Sequence, residues 1–180
     1  SWLHDNSGFY YSAWPTEDEA PGGEKDYYHR ALFHELGGDG REKKEDGSYT
    51  DAVVMQDAEV KEHFHGAGVS EDGRYLLKGR YSFNTSMLWL QDLGTPGSEP
   101  VPLNESMDAE YFAQVLGDQI FILTDWDAPN YRIMQTTVDK PGQENWTEFV
   151  SESADTIRSL NAIGGLLYVN YQHKASTKLK

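Results

Sequence analysis

Val69-Ser70-Glu71-Asp72-Gly73-Arg74-Tyr75-Leu76-Leu77 is the stretch that decides the fold. Val69 reads as the end of one strand, Asp72-Gly73 as a tight turn, and Tyr75-Leu76-Leu77 as the start of the next strand. Gly accepts the positive φ of such a turn, Asp hydrogen-bonds its own backbone, and aromatic and branched residues suit a half-buried strand. The same order of Asp, Gly and aromatic recurs in Asp5-Asn6-Ser7-Gly8-Phe9-Tyr10-Tyr11. Leu116-Gly117-Asp118-Gln119-Ile120-Phe121 and Ile163-Gly164-Gly165-Leu166-Leu167-Tyr168 repeat the turn and the apolar strand with less of the signature. The last three turns lie about 45 residues apart, a propeller-blade spacing, and the first interval is longer, roughly 65, with its surplus in polar loops.

Working outward from these turns gives the remaining strands. The first repeat has Gly8 to Trp14, Asp26 to Leu36 and Ala52 to Gln56, with a charged stretch from Gly37 to Asp51 that reads as a solvated insertion. The second has His63 to Ser70, Arg74 to Arg80, Met87 to Leu93 and a short edge strand near Val101. There Pro100 and Pro102 fit, because an edge needs no ladder donor. The third has Tyr111 to Leu116, Gln119 to Thr124, Tyr131 to Val138 and Trp146 to Val150; the fourth has Ile157 to Ile163 and Leu166 to Gln172. No segment carries a long 3.6-residue apolar period, so little helix is expected. The reading is an all-β propeller fragment of about four blades, two complete and two partial, over residues 1–57, 58–104, 105–152 and 153–180.

Composition limits the function classes. The 180 residues are 38% hydrophobic and 13% aromatic, which suits a globular chain with a real core. There is no cysteine, so disulfides, thiolate metal sites and cysteine nucleophiles are all excluded. A formal net charge of -15 argues against nucleic acid as a partner, since phosphate binding needs clustered Lys and Arg. The apolar runs are of strand length, so no membrane partner is expected.

Several stretches resemble the propeller of the prolyl oligopeptidase family of serine peptidases. Ser1-Trp2-Leu3-His4-Asp5 through Gly8-Phe9-Tyr10-Tyr11 and Trp14-Pro15 is similar to its Trp-Thr-His-Asp-Gly-Lys-Gly-Phe-Tyr-Tyr passage. Tyr28-His29-Arg30 with Leu36-Gly37, the turn from Ser70 to Tyr75, Leu88-Trp89 with Asp92-Leu93, Ala128-Pro129-Asn130-Tyr131-Arg132 and Trp146 to Val150 follow in the family's order. Ser151 stands where the family usually has Pro, and Arg41 to Tyr49 looks like an insertion. The resemblance implies a seven-bladed parent propeller that covers an α/β-hydrolase domain and admits short proline-containing peptides. The catalytic triad would lie on that other domain, so this chain is expected to be inactive alone. Apolar residues on family loops that face the hydrolase help line the substrate pocket, and the matching positions here are Phe64 and Phe83.

The residues themselves agree that no catalytic triad lies here. A hydrolase nucleophile elbow needs Gly-x-Ser-x-Gly, and the nearest string, Gly68-Val69-Ser70-Glu71-Asp72, has Asp in place of the second Gly. Ser70 is better read as a turn residue. His63-Phe64-His65 would put two imidazoles on one strand face, a metal-site spacing, but no third ligand is evident, and no metal or cofactor is expected. Asp125-Trp126-Asp127 could offer paired carboxylates and reads better as a strand-end loop. Asn84-Thr85-Ser86, Asn104-Glu105-Ser106 and Asn145-Trp146-Thr147 satisfy the glycosylation pattern and are taken as incidental. Trp2, Phe9, Tyr10, Trp89, Phe121 and Tyr168 are assigned to packing between blades.

The chain is expected to be a segment of something longer, lacking a strand ahead of its first turn and stopping as the fourth sheet's third strand begins at Lys178. Two readings follow. In the first, it is a non-catalytic propeller segment that filters peptides, partnered by the hydrolase domain and the remaining blades of its parent; in the second, it is a stand-alone binding or scaffolding module. Exposed sheet edges pair readily, so an isolated piece is expected to self-associate. The expected compartment is the cytoplasm, with periplasmic and secreted locations left open.

Overall fold

A computed structural model describes residues 1–37, 45, 51–174 and 176–180. The described residues form four sheets. The first contains β1 (Gly8–Ala13), β2 (Arg30–Glu35) and β3 (Ala52–Gln56), and the second contains β4 (Phe64–Val69), β5 (Tyr75–Tyr81), β6 (Ser86–Asp92) and β7 (Val101–Pro102). The third contains β8 (Tyr111–Leu116), β9 (Gln119–Thr124), β10 (Arg132–Thr137) and β11 (Thr147–Val150), and the fourth β12 (Thr156–Ile163), β13 (Leu166–His173) and β14 (Ser176–Leu179). Neighbours in sequence are neighbours in each sheet, so each is a meander. The only helical pieces among the described residues are short 3-10 turns at Pro21–Gly23 and Gln143–Asn145. The fold class is the all-β, propeller-type repeat expected, with two four-stranded sheets and two three-stranded ones.

The turns form for the reasons their residues suggest. Gly73, Gly117, Gly164 and Gly165 all have positive φ. The first turn differs, because its left-handed position is held by Asn6 at φ 58°. Gly8 is needed for space instead: a Cβ there would lie 2.4 Å from the His34 carbonyl oxygen and 2.5 Å from the Phe33 ring.

Two expectations need correction. The strand expected from Asp26 begins only at Arg30. Tyr28 adopts φ 59°, which breaks the extension, and its N–H donates to the Lys61 carbonyl at 2.9 Å. The residues ahead of the first turn contribute an isolated bridge rather than a strand: Trp2 bridges to Phe9, and Ser1 and Tyr10 exchange hydrogen bonds of 2.7 Å. At the other end β14 is a formed strand, with Asn170 opposite Leu179 and His173 opposite Ser176. The stretch from Arg41 to Tyr49 lies outside the described residues except Glu45.

Two compact units divide the chain. One comprises Ser1–Val69 and Lys78–Ser82, the other Ser70–Leu77 and Phe83–Lys180. The boundary follows no polar linker. In the first unit Tyr10, Ala31, Leu32 and His65 are buried. The Ser12 hydroxyl donates to the His65 carbonyl at 2.8 Å, and the Val69 N–H donates to Ser1 Oγ at 3.1 Å.

In the second unit β9 is the central element. Ile120, Phe121, Ile122, Leu123 and Thr124 are all buried, so this strand is covered on both faces and reads as a continuous apolar run. Phe121, Leu123 and Ile133 pack with Ile157, Leu160, Val169 and Tyr171 in one core shared by the third and fourth sheets. Farther from that core, the Glu71 carboxylate accepts from the N–H groups of Gly164 at 2.6 Å and Gly165 at 3.3 Å. This ties the β4–β5 turn to the β12–β13 turn. Of the aromatics assigned to packing between sheets, Phe121 enters the shared core, while Trp2 is 55% exposed and stacks on Phe9 within its own sheet. Tyr10 pairs with Phe33 across β1 and β2 in the same way. The pleat explains the difference: these rings lie beside cross-strand neighbours that already cover part of them.

Candidate functional site

Phe64 opens β4 and His65 follows it. Alternation sends the two side chains to opposite faces: His65 is buried, and Phe64 remains 39% exposed. The Phe64 ring stands edge-on to Trp14 at 5.6 Å and lies 5.6 Å from the His29 ring, and Trp14 and His29 are 4.8 Å apart. Three rings at steep mutual angles thus form a partly exposed aromatic cluster within the first unit. Sequence reasoning placed Phe64 but not Trp14 or His29 in it. The available signal was their occurrence in the two motifs Trp14-Pro15 and Tyr28-His29-Arg30.

Phe83 belongs to the second unit, in the bend that joins β5 to β6, and is 96% exposed. Single exposed apolar residues are common on protein surfaces, but a phenyl ring this open brings no folding energy of its own.

The other candidates resolve into structural roles. Ser70 is buried; its hydroxyl donates to Asp72 Oδ1 at 2.5 Å and accepts from the Tyr75 N–H at 3.0 Å. The Asp72 carboxylate, which also takes the Arg74 N–H, is held below the usual range chiefly by the Ser70 hydroxyl. Ser70 is therefore a turn residue. Ser70→Ala is expected to destabilise by about 1–2 kcal/mol, because it strands the buried Tyr75 N–H. A denaturant midpoint would check this, and an unchanged midpoint would contradict it.

His63 and His65 do not converge on one point. His63 Nδ1 contacts Asp57 Oδ2 at 3.0 Å, while His65 Nδ1 donates to the His29 carbonyl at 2.6 Å. Burial pushes the Asp57 carboxyl up, but the N–H groups of Val60 and Glu59, the His63 hydrogen bond and the Arg80 charge outweigh it and hold Asp57 far below the usual range. Among the described residues no group of three His, Asp or Glu is placed to hold a metal ion. Asp125 accepts the Glu110 N–H at 2.7 Å, and Asp127 occupies a left-handed turn position at φ 50°. These carboxylates shape the loop after β9. Asn104 is 1% exposed and is fully engaged by Leu88, Ser86 and Ser106, so its sequon is closed to a glycosyltransferase in the folded chain. No helix among the described residues is long and apolar enough to cross a membrane.

Four blade-like meanders with positive-φ turns define a partial β-propeller. The profile of the family described as prolyl oligopeptidase, N-terminal beta-propeller domain, matches residues 1–180, and the chain belongs to that family. It is 29% identical over its whole length to prolyl endopeptidase of Elizabethkingia meningoseptica, covering 24% of that protein. It is 27% identical over 86% of its length to the dual function macrocyclase-peptidase POPB of Galerina marginata, covering 21% of that protein. A solved prolyl endopeptidase superposes with a TM-score of 0.81 at 25% identity, covering 99% of this chain and 25% of the other. Prolyl oligopeptidase B from Galerina marginata superposes with a TM-score of 0.79 at 22% identity, over 99% of this chain and 25% of the other. The chain thus spans about a quarter of the length of the relatives it matches.

Proposed function

We propose that this chain is the non-catalytic propeller segment of a serine-type prolyl peptidase, acting beside a hydrolase domain to filter short proline-containing peptides. Family membership over residues 1–180 carries this reading. Relatives named prolyl endopeptidase and macrocyclase-peptidase support a peptide as the substrate class. The turn role of Ser70 is consistent with a nucleophile supplied by another domain.

Within that role, Phe64 and Phe83 are the residues proposed to touch the peptide. Both offer aromatic surface to solvent, and a proline ring packs favourably on such surface because contact removes apolar area from water on both sides. Phe64 is also pre-positioned by Trp14 and His29, which lowers the ordering cost of binding. In the intact peptidase, Phe64→Ala and Phe83→Ala are each expected to lower kcat/KM for a proline-containing peptide by about 5- to 30-fold, the equivalent of 1–2 kcal/mol. Unchanged kcat/KM in both variants would remove these residues from the substrate path.

A further inference from the structure

Two histidines join the first sheet to β4 through a reciprocal pair of bonds. The His65 main-chain N–H donates to His29 Nδ1 at 2.9 Å, and His65 Nδ1 lies 2.6 Å from the His29 carbonyl oxygen. These contacts settle both tautomers. A nitrogen that accepts an N–H carries no proton, so neutral His29 is protonated on Nε2. A carbonyl only accepts, so His65 is protonated on Nδ1, and its Nε2 is left bare. That Nε2 is buried and makes no hydrogen bond among the described residues.

We propose that His29 and His65 form a proton-sensitive latch, which holds the start of β4 against the approach to β2 at neutral pH and loosens on mild acidification. Each protonation opposes the latch in a different way. A proton on His29 Nδ1 would point at the His65 N–H and replace an acceptor with a second donor. A proton on His65 Nε2 would create a buried cation whose new N–H has no acceptor, a costly arrangement in a low-dielectric interior.

The surroundings reinforce this. Asp57 favours the protonated form of His65, whereas His63 and Arg80 disfavour it. Asp57 is itself held by His63 at 3.0 Å and Arg80 at 3.2 Å, so its charge is already engaged. Within the first unit, the other titratable or charged groups on elements beside β4 are Tyr10 and Tyr11 on β1, Arg30, His34 and Glu35 on β2, and Lys78 and Tyr81 on the part of β5 that belongs to that unit; β3 has none. Burial first, and the neighbouring imidazole second, holds His29 below the ordinary histidine value of 6.5. Burial likewise pushes His65 below 6.5, against the opposing pull of the His29 carbonyl. With native values below 6.5, the unfolded or opened state binds more protons between the two values. The latch is therefore at full strength above pH 6.5 and weakens as the pH falls toward the native values.

This inference stands apart from whether Phe64 meets substrate. Its test is hydrogen exchange at the His65 amide in the full-length protein from pH 7.5 to 5, corrected for the intrinsic pH dependence of exchange. Protection is expected to fall on the order of tenfold per pH unit for each histidine inside the window. The double variant His29→Asn with His65→Asn keeps an acceptor and a donor near the two Nδ1 positions but cannot titrate. It should show pH-independent protection, and a pH dependence equal to that of wild type would overturn the latch. Ring-nitrogen NMR of the wild-type protein covers the case in which the double variant fails to fold. A neutral, Nδ1-protonated His65 persisting well below pH 6.5 would support the proposal, and ordinary titration near 6.5 would refute it.

Discussion

Ile133→Ala is expected to lower the unfolding free energy by about 3 kcal/mol, within the 2–5 kcal/mol range for removing a buried branched side chain from a packed core. Ile133 has no solvent exposure and lies at the centre of the cluster that Phe121, Leu123, Ile157, Leu160, Val169 and Tyr171 build between the third and fourth sheets. β-Ladders on both sides of β10 hold its backbone, opposite Leu123 on β9 and Val150 on β11, so the vacated volume cannot close by a local shift. The matched control is Phe149→Ala. Phe149 meets Phe121 edge-on at 4.9 Å but is 49% exposed, and its loss should cost about 1 kcal/mol. Denaturant midpoints of the two variants decide the point. If Ile133→Ala costs no more than Phe149→Ala, the two sheets do not share a load on that core.

The parts of this fold that were legible in the sequence are those written in local chemistry. Gly73, Gly117 and Gly164 announce their turns because few other residues accept their φ, and the apolar run Ile120 to Leu123 announces a strand covered on both faces. Tyr28 shows where that kind of reading stops. An aromatic residue beside a strand pattern looks extended, and nothing local betrays the φ of 59° that the main-chain bond to Lys61 accompanies.

The candidate site divides along the same line. Phe64 and Phe83 were named through a family likeness, and their exposure is compatible with it. Trp14 and His29 were missed because they reach Phe64 from positions 50 and 35 residues earlier in the chain, and such contacts leave no local period to read. The His29–His65 pair is hidden for the same reason, being separated by 36 positions. His63 and His65, two residues apart, have a metal-site spacing that the sequence did not support with a third ligand, and in the fold each imidazole meets a different acceptor.

Asn104→Asp is expected to cost about 3–5 kcal/mol at neutral pH, although it changes a single atom type. Asn104 extends a ladder that the main chain leaves unfinished. β7 pairs with β6 only at Val101–Leu90 and Pro102–Trp89, and the Leu103 N–H then donates to the Leu88 carbonyl at 2.8 Å. Beyond that point the Asn104 carboxamide acts as a surrogate peptide. Its Oδ1 accepts the Leu88 N–H at 2.9 Å, and its Nδ2 donates to the carbonyls of Ser86 at 3.0 Å and Ser106 at 2.8 Å. A carboxylate can still accept from Leu88, but it turns two bonded carbonyls into buried repulsive neighbours. The variant's acid should therefore titrate above the usual value of about 3.9. A raised native pKa means that the protonated form is the stable one, so the deficit relative to wild type should shrink as the pH falls through the variant's native pKa and be smallest below about 3.9. Unfolding curves of both proteins at pH 7 and pH 4.5 test this. A deficit of the same size at both values would mean that the introduced carboxylate avoids the two carbonyls by leaving the ladder, and that the carboxamide is not what fastens residues 103–106 to β6.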